Sequence, residues 1–385
     1  MTKAVIAAYA RTPFHFARKG ALAGTRPDDL MAAVLTALIT RTGISPDLIE
    51  DVLLGCAYPE AEQGNNIARI SAMLAGFPFT VTGMTMNRFC GSSMSAIHVA
   101  AGQIAIRAGD AFICGGVESM SRVPQGGFTP SPNPRFARKN DDGGDLPTQA
   151  YIPMGDTAEN VAQRYGITRA EQDAFGLASQ MKAAAAQADG RLADEIVPIA
   201  TPDGLVSLDG CLRPGTTLAG LAGLKPAFGE AGTVTAGTAS PLTDGATGCL
   251  VCSEKFATDH GLTIMARIRS VALGGVPPEV MGLGPIPAAR KALARAGLTM
   301  ADIDVVELNE AFASQAIACM RDLNIPEDRV NIDGGAIALG HPLGATGTRI
   351  TAKAAQILLR EGKQFALAAQ CIGGGQGIAT ILEAV

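Results

Sequence analysis

The stretch Asn87-Arg88-Phe89-Cys90-Gly91-Ser92-Ser93-Met94-Ser95-Ala96 decides how the rest of this chain is read. Val81 to Met86 before it is short, apolar and β-branched, whereas after Ser93 apolar residues recur at helical spacing through Met94, Ile97, Val99, Ala101 and Ile104. Cys90 therefore stands where a strand gives way to a helix. The first N–H groups of a helix have no internal partner and its dipole favours negative charge, so a thiol placed there is expected to ionise more easily than a free one. A cysteine in a long, alanine-rich chain is otherwise most often a small buried hydrophobe. Two glycine-rich stretches near the C-terminus turn the reading towards a nucleophile.

A chain of 385 residues suits two domains, or two similar halves packed as one body. With 47% hydrophobic residues, only 4% aromatic ones and no tryptophan, the core must be built from closely packed Ala, Val, Ile, Leu and Met. A net charge of −5 excludes a general nucleic-acid or membrane-surface binder, which needs a basic face, but leaves room for an anionic ligand at a local site. Of the eight cysteines only Cys249 and Cys252 are closely spaced. They lie in an apolar run without a second pair or a nearby histidine, so no metal site is expected, and reduced thiols in a cytoplasmic protein are. Lys3 to Ala10 reads as a strand and lacks the pattern of a signal peptide. No apolar run approaches a membrane span, and Leu382-Glu383-Ala384-Val385 matches no peroxisomal address.

The chain repeats itself. A helix over Pro27 to Arg41, a turn at Gly43 to Asp47 and a buried strand over Asp51 to Gly55 return as a helix over Ala288 to Ala296, a turn at Gly297 to Met300 and a strand over Ile303 to Leu308, roughly 254 positions later. The strand, Cys90, helix and strand (Ala111 to Gly116) of the first half are matched by a strand at Val330 to Asp333, then Gly340-His341-Pro342, a helix from Ala345 to Arg360 and a strand from Phe365 to Ile372. Each half is expected to be a helix-covered mixed sheet, with a ligand cleft where the halves meet. Between them, from about 119 to 247, the composition changes. Phe128 to Arg135 and the charged Lys139 to Asp145 read as loops, followed by helices over Thr157 to Tyr165 and Arg169 to Asp189 and a return into a strand at Gly248 to Ser253. Excursions this long are usually lids or binding loops.

Four histidines exist. His15 and His260 lie among polar loop residues, and His98 sits on the helix after Cys90 as a structural neighbour. His341 is fixed between glycines and a proline just before a helix, close to the repeat counterpart of Cys90, where it can serve as the base for the thiol. Cys371, by itself a core residue, follows a buried strand and precedes Gly373-Gly374-Gly375, whose bare backbone can offer N–H groups to an oxyanion. In the company of Cys90 and His341 it becomes an acid and base. Asn309-Glu310-Ala311-Phe312 follows the repeat strand at its cleft end, where Asn309 reads equally as a site residue and as the cap of a helix running through Arg321.

Four motifs, N-R-F-C-G-S-S-M around Cys90, N-E-A-F from 309, G-G-A-I-A-L-G-H-P-L-G-A-T-G from 334 and C-I-G-G-G-Q-G from 371, resemble the thiolase family in order and spacing over essentially the whole chain. Within the family the chain is similar to the degradative 3-ketoacyl-CoA thiolases, notably through Val234-Thr235-Ala236-Gly237-Thr238-Ala239-Ser240. The resemblance implies an α/β, thiolase-like fold with two duplicated halves in a five-layer αβαβα arrangement. The implied division is 1–118 for the N-terminal half, 119–247 for an inserted loop domain over the coenzyme A site, 248–265 for the return strand and helix, and 266–385 for the C-terminal half. It implies acyl transfer between coenzyme A and acetyl-CoA through an acyl-cysteine, with coenzyme A as substrate and no permanently bound cofactor or metal. By match of motif, Cys90 would be the nucleophile, His341 its base and an oxyanion donor, and Cys371 the acid. Asn309 would hold the water of one oxyanion hole, and Gly373 with Cys90 would form the other. Ser240 and Arg213 would touch coenzyme A, and Met154 and Phe312 would be pocket walls, with Lys225 a further basic residue for the phosphates. Acyl-CoA and coenzyme A are the implied partners, with a homodimer or homotetramer as the assembly and an enoyl-CoA hydratase/3-hydroxyacyl-CoA dehydrogenase as a candidate protein partner.

Members that make acetoacetyl-CoA often carry Asn, Gly and His where this chain has Thr238, Pro241 and Pro153, which sets it apart from the short-chain biosynthetic branch. Acetoacetyl-CoA thiolase remains the alternative. The ketoacyl synthase branch pairs its cysteine with two histidines, and a non-catalytic acyl-CoA-binding relative would lose the cysteine pair or the histidine.

Overall fold

Strand β1 (Ala4–Arg11) is buried along its whole length and pairs antiparallel with β8 (Thr243–Ser253), so the N-terminal half closes on itself only after the insertion has been made. Between them lie β2 (His15–Phe16), α1 (Pro27–Thr42), β3 (Asp51–Gly55), α2 (Ile67–Leu74), β4 (Thr82–Met86), α3 (Ser92–Ala105) and β5 (Ala111–Ser119). The insertion follows, with α4 (Met154–Tyr165), α5 (Arg169–Ala188), the hairpin β6 (Ile199–Thr201) and β7 (Gly204–Val206), and α6 (Leu218–Ala222). Helix α7 (Glu254–Asp259) leads into the C-terminal half: β9 (Ala266–Gly275), α8 (Pro285–Ala296), β10 (Val305–Leu308), α9 (Ala313–Leu323), α10 (Ala336–Leu339), α11 (Leu343–Glu361), β11 (Phe365–Ile372) and β12 (Gln376–Glu383). The computed structural model describes residues 2–136, 145–146 and 148–385. Apart from Asp145, the charged stretch read as a loop over Lys139 to Asp145 lies outside them.

The pairing carries the duplication expected from the sequence. In one half β3 is parallel to β5 and β5 antiparallel to β8; in the other β10 is parallel to β11 and β11 antiparallel to β12. The strand orders are β4-β3-β5-β8-β1 and β10-β11-β12-β9, joined where β1 meets β9. One expected strand is missing. Val330 to Asp333, the counterpart of β4, keeps only a bridge from Val330 to Val306, because the Asn331 side chain takes both backbone hydrogen bonds of Leu308. Strand β8 also starts at Thr243, five residues before the expected Gly248, and α4 starts at Met154 rather than Thr157.

Alternate side chains along each strand face opposite layers. Val52 and Leu54 of β3 and Ile113 of β5 pack with α1 and α2, while Leu53, Phe112 and Cys114 face α3 and α11. In the other half Leu367 and Ala369 of β11 pack with α8 and α9, while Ala366 and Ala368 face the same α3 and α11. The two sheet halves thus share one middle layer of helices, giving the five layers αβαβα. Among the described residues no helix is long and apolar enough to cross a membrane.

Buried charge docks the insertion onto both halves. Arg11 of β1 pairs with Glu195 at 2.6 Å and Asp209 at 2.7 Å, and Lys353 of α11 reaches the same Glu195 at 2.9 Å and Asp333 at 2.8 Å. Removing one partner of such a cluster typically costs about 3–5 kcal/mol, because it strands the other charge in the interior.

The middle layer is held by a close approach. A Cβ on Gly347 of α11 would lie 2.4 Å from the Met94 amide nitrogen of α3, and the Thr348 amide donates to Ser93 Oγ at 2.9 Å. Gly347→Ala is therefore expected to lose about 1–3 kcal/mol in denaturant unfolding, the usual range for overpacking. An unchanged midpoint and slope would show that the two helices are not in contact in solution.

Candidate active site

Cys90 and His341 each lie two residues before a middle-layer helix, α3 and α11 respectively, and both open into one cleft with a volume of about 900 Å³. Cys371, at the end of β11, lines the same cleft, as do Met154, Arg213, Ser240 and Phe312. Residues far apart in sequence are brought together because the two halves present the starts of α3 and α11 to the same cleft.

Cys90 sits in a tight turn. Asn87 Oδ1 accepts the Phe89 amide at 2.8 Å, Ser92 Oγ accepts the Arg88 amide at 2.8 Å, and Gln370 from the other half donates to the Cys90 carbonyl. Phe89 adopts a φ of 44°, which is strained for an aromatic residue and shows how firmly the turn is held. The helix-start effect on this thiol meets an opposing one. Burial pushes its pKa up to about 11, against the pull of the N–H groups of Gly373 and of Cys90 itself. Both N–H groups favour the ionised form of the sulfur, which burial opposes. Beyond Gly373 the loop needs glycine: Gly375 has a φ of 82°, and a Cβ there would lie 2.2 Å from the Val276 carbonyl oxygen.

His341 is almost fully buried and its protonation is legible. Thr346 Oγ donates its one proton to the Pro342 carbonyl at 2.9 Å, so it accepts from His341 Nδ1–H at 2.7 Å and leaves Nε2 as a hydrogen-bond acceptor. The Asn309 amide nitrogen lies 3.4 Å from that Nε2. Burial, seconded by the positive charge of Arg349, lowers the His341 pKa to about 3, so the ring is a neutral base at rest. The Cys371 thiol is raised well above its ordinary value by burial and then by the neighbouring Cys90, so it rests protonated, as an acid must.

The helix-cap reading of Asn309 fails. Helix α9 starts at Ala313 with Phe312 in the cap position, and Asn309 is wholly buried beside His341, its Oδ1 without a partner among the described residues. Ser240 donates from both its amide and its hydroxyl to the Ala311 carbonyl, joining the insertion's return segment to the loop after β10. Arg213 is anchored to the carbonyls of Ala236 and Ile337, each at 3.4 Å. Lys225 is not among the residues that line the cleft, whereas Lys19 is. His98 is the structural neighbour expected, bonded to Thr380 at 2.8 Å.

Sequence reasoning missed the residues that hold the catalytic ones. Thr346 was inside a quoted motif, one turn into α11, and its spacing from His341 was the available signal. Thr243 holds the His341 amide at 3.0 Å, and Glu118 gathers the amides of Ala57 and Gly344 at 2.7 and 2.9 Å, tying the base's loop to the nucleophile's half.

Two outcomes follow from this geometry. Inactivation by iodoacetamide is expected to quicken with pH towards the Cys90 value of about 11. A rate that levels off near neutral pH would reveal a thiolate–imidazolium pair instead of two neutral groups. Thr346→Val, which removes the acceptor for Nδ1–H, is expected to lose at least about tenfold in the activity of the site while staying folded, with Thr346→Ser restoring it. Equal activity in Thr346→Val and the parent would remove Thr346 from the base's support.

Comparison with known proteins agrees over the full length. A family model described as the thiolase N-terminal domain matches residues 4–255, and one described as the thiolase C-terminal domain matches residues 262–384. The 3-ketoacyl-CoA thiolase of Bacillus subtilis is 46% identical over 396 aligned residues that span 100% of both chains. The protein of the same name from Saccharophagus degradans is 46% identical over 391 residues, covering 99% of this chain and 98% of its own. That from Vibrio cholerae is 46% identical over 398 residues and 100% of both.

Proposed function

The chain belongs to the thiolase family, and from that premise we propose that it is a 3-ketoacyl-CoA thiolase, cleaving 3-ketoacyl-CoA with coenzyme A to acetyl-CoA and a shortened acyl-CoA. The observation that carries this reading is the convergence of Cys90, His341 and Cys371 on one largely apolar cleft.

In the proposed sequence Cys90 attacks the 3-keto carbon while His341 Nε2 takes its proton. The bond between C2 and C3 breaks, and the electrons pass to the departing acetyl-CoA enolate, which Cys371 protonates at carbon. The protonated His341 and a water held by Asn309 stabilise that enolate oxygen. The thiol of free coenzyme A then gives its proton to the Cys371 thiolate and attacks the acyl-cysteine. The resulting oxyanion rests on the Cys90 and Gly373 amides, donors each worth roughly 2.7–4 kcal/mol in comparable sites. Collapse releases acyl-CoA, and Cys90 recovers its proton from His341. Proton transfer coupled to attack is what two neutral groups require, and Cys371 begins each cycle in the form its role needs.

The apolar walls, among them Met154, Met281 and Phe312, suit acyl chains longer than acetoacetyl. Eight unpaired thiols support a reducing, cytoplasmic setting. For a homodimer or homotetramer the support is β4, an exposed sheet edge beside the exposed Phe79, Leu74 and Met84. Coenzyme A enters as substrate, at Ser240 and Arg213 on the insertion.

Thiolysis, followed as loss of the magnesium–enolate absorbance across short and long 3-ketoacyl-CoA substrates, tests the reading. Activity extending beyond acetoacetyl-CoA and abolished in Cys90→Ala is expected. Activity confined to acetoacetyl-CoA would make the protein an acetoacetyl-CoA thiolase, and activity surviving in Cys90→Ala would sink the acyl-cysteine mechanism.

A further inference from the structure

Among the described residues that line the cleft, Lys19 and Arg213 are the ones with charged side chains at neutral pH, and both are cations on a chain whose net charge is −5. They come from different parts of the fold. Arg213 belongs to the insertion, and Lys19 to the turn between β2 and α1 in the N-terminal half. That turn is built onto the start of β8: Phe16 pairs with Thr243, the Ala17 amide donates to the Leu242 carbonyl at 2.8 Å, and the Gly20 amide returns to the Phe16 carbonyl at 2.8 Å. Within it Lys19 Nζ lies 4.5 Å from the centre of the Phe16 ring, itself a cleft residue, and among the described residues no carboxylate pairs with it. The ring face restrains the ammonium without neutralising it.

We propose that Lys19, exposed and lining the cleft as Arg213 does, binds phosphate groups of coenzyme A and its thioesters. The inference rests on the reading that such thioesters enter here, and adds a recognition element from the N-terminal half. An ammonium binds phosphate as a point charge and a guanidinium as a planar fork, so either cation can serve here, and every half-reaction brings a coenzyme A moiety past this rim. An exposed cation contributes as much to capture of the anion as to holding it, so its effect fades with salt.

The test sets two thioester and thiol pairs side by side in the parent, Lys19→Gln and Lys19→Arg: acetoacetyl-CoA with coenzyme A, and the phosphate-free N-acetylcysteamine thioester with N-acetylcysteamine. In Lys19→Gln the loss of kcat/KM with the coenzyme A pair should exceed the loss with the phosphate-free pair by roughly three- to tenfold, carried by KM, with Lys19→Arg close to the parent. The excess should shrink at high ionic strength. Equal losses on both pairs, or an unmoved KM for coenzyme A, would overturn the assignment. Turnover of either pair by the parent stands or falls with the thiolase reading alone. Equilibrium binding of coenzyme A to the parent and to Lys19→Gln reads Lys19 independently of turnover: weaker binding by the variant supports the proposal and equal binding refutes it.

Discussion

Gly347 lets the backbone of α11 press against Met94 of α3, and the hydrogen bond from the Thr348 amide to Ser93 Oγ fixes the register of the two helices. Because Cys90 and His341 each stand two residues before one of these helices, that single contact sets where the two enter the cleft. Everything outside it serves to keep the pair of helices between the two sheet halves. The inner faces of β3, β5, β11 and β12 pack on them, and the buried alanines of α11 keep the layer thin enough for both sheets to reach it.

The same burial governs the chemistry. A helix N-terminus stabilises a nearby anion by about 0.3–1 kcal/mol, up to about 2 in favourable cases, whereas burial can move a pKa by as much as about 3–5 units. Desolvation therefore wins at Cys90, and at His341 it works in the opposite sense on a group of opposite charge, so both rest neutral. A neutral thiol and a neutral imidazole thus share one cleft without charge separation. The burden falls on the residues that orient them: Thr346 on the ring, Gln370 on the Cys90 carbonyl, and Glu118 between the two halves.

The insertion completes the cleft and also braces the segment that carries His341, through Gln180 and Arg213 on the Ile337 carbonyl. Glu195 binds cations from both halves, and this fixes the insertion to the body before it reaches over the cleft. From there it contributes Met154, Arg213 and Ser240, while the body answers with Ala311 and Phe312, so the ligand channel has walls from three parts of the chain.

By itself the sequence determined the duplicated halves, the strand-to-helix junction at Cys90, and the glycine-bound positions of His341 and Cys371, because side-chain periodicity and glycine or proline placement act over a few residues. Only the tertiary structure decided the rest. Asn309 lies beside His341 instead of capping α9, Val330 to Asp333 gives up its strand to the Asn331 side chain, and Lys19 lines the cleft. The Cys90 thiol is harder to ionise than a free one, where its position beside a helix had pointed the other way. Each of these depends on neighbours far away in the chain or on the removal of water. Desolvation and long-range hydrogen-bond partners leave no local pattern in a sequence, and they exist only once the layers have closed.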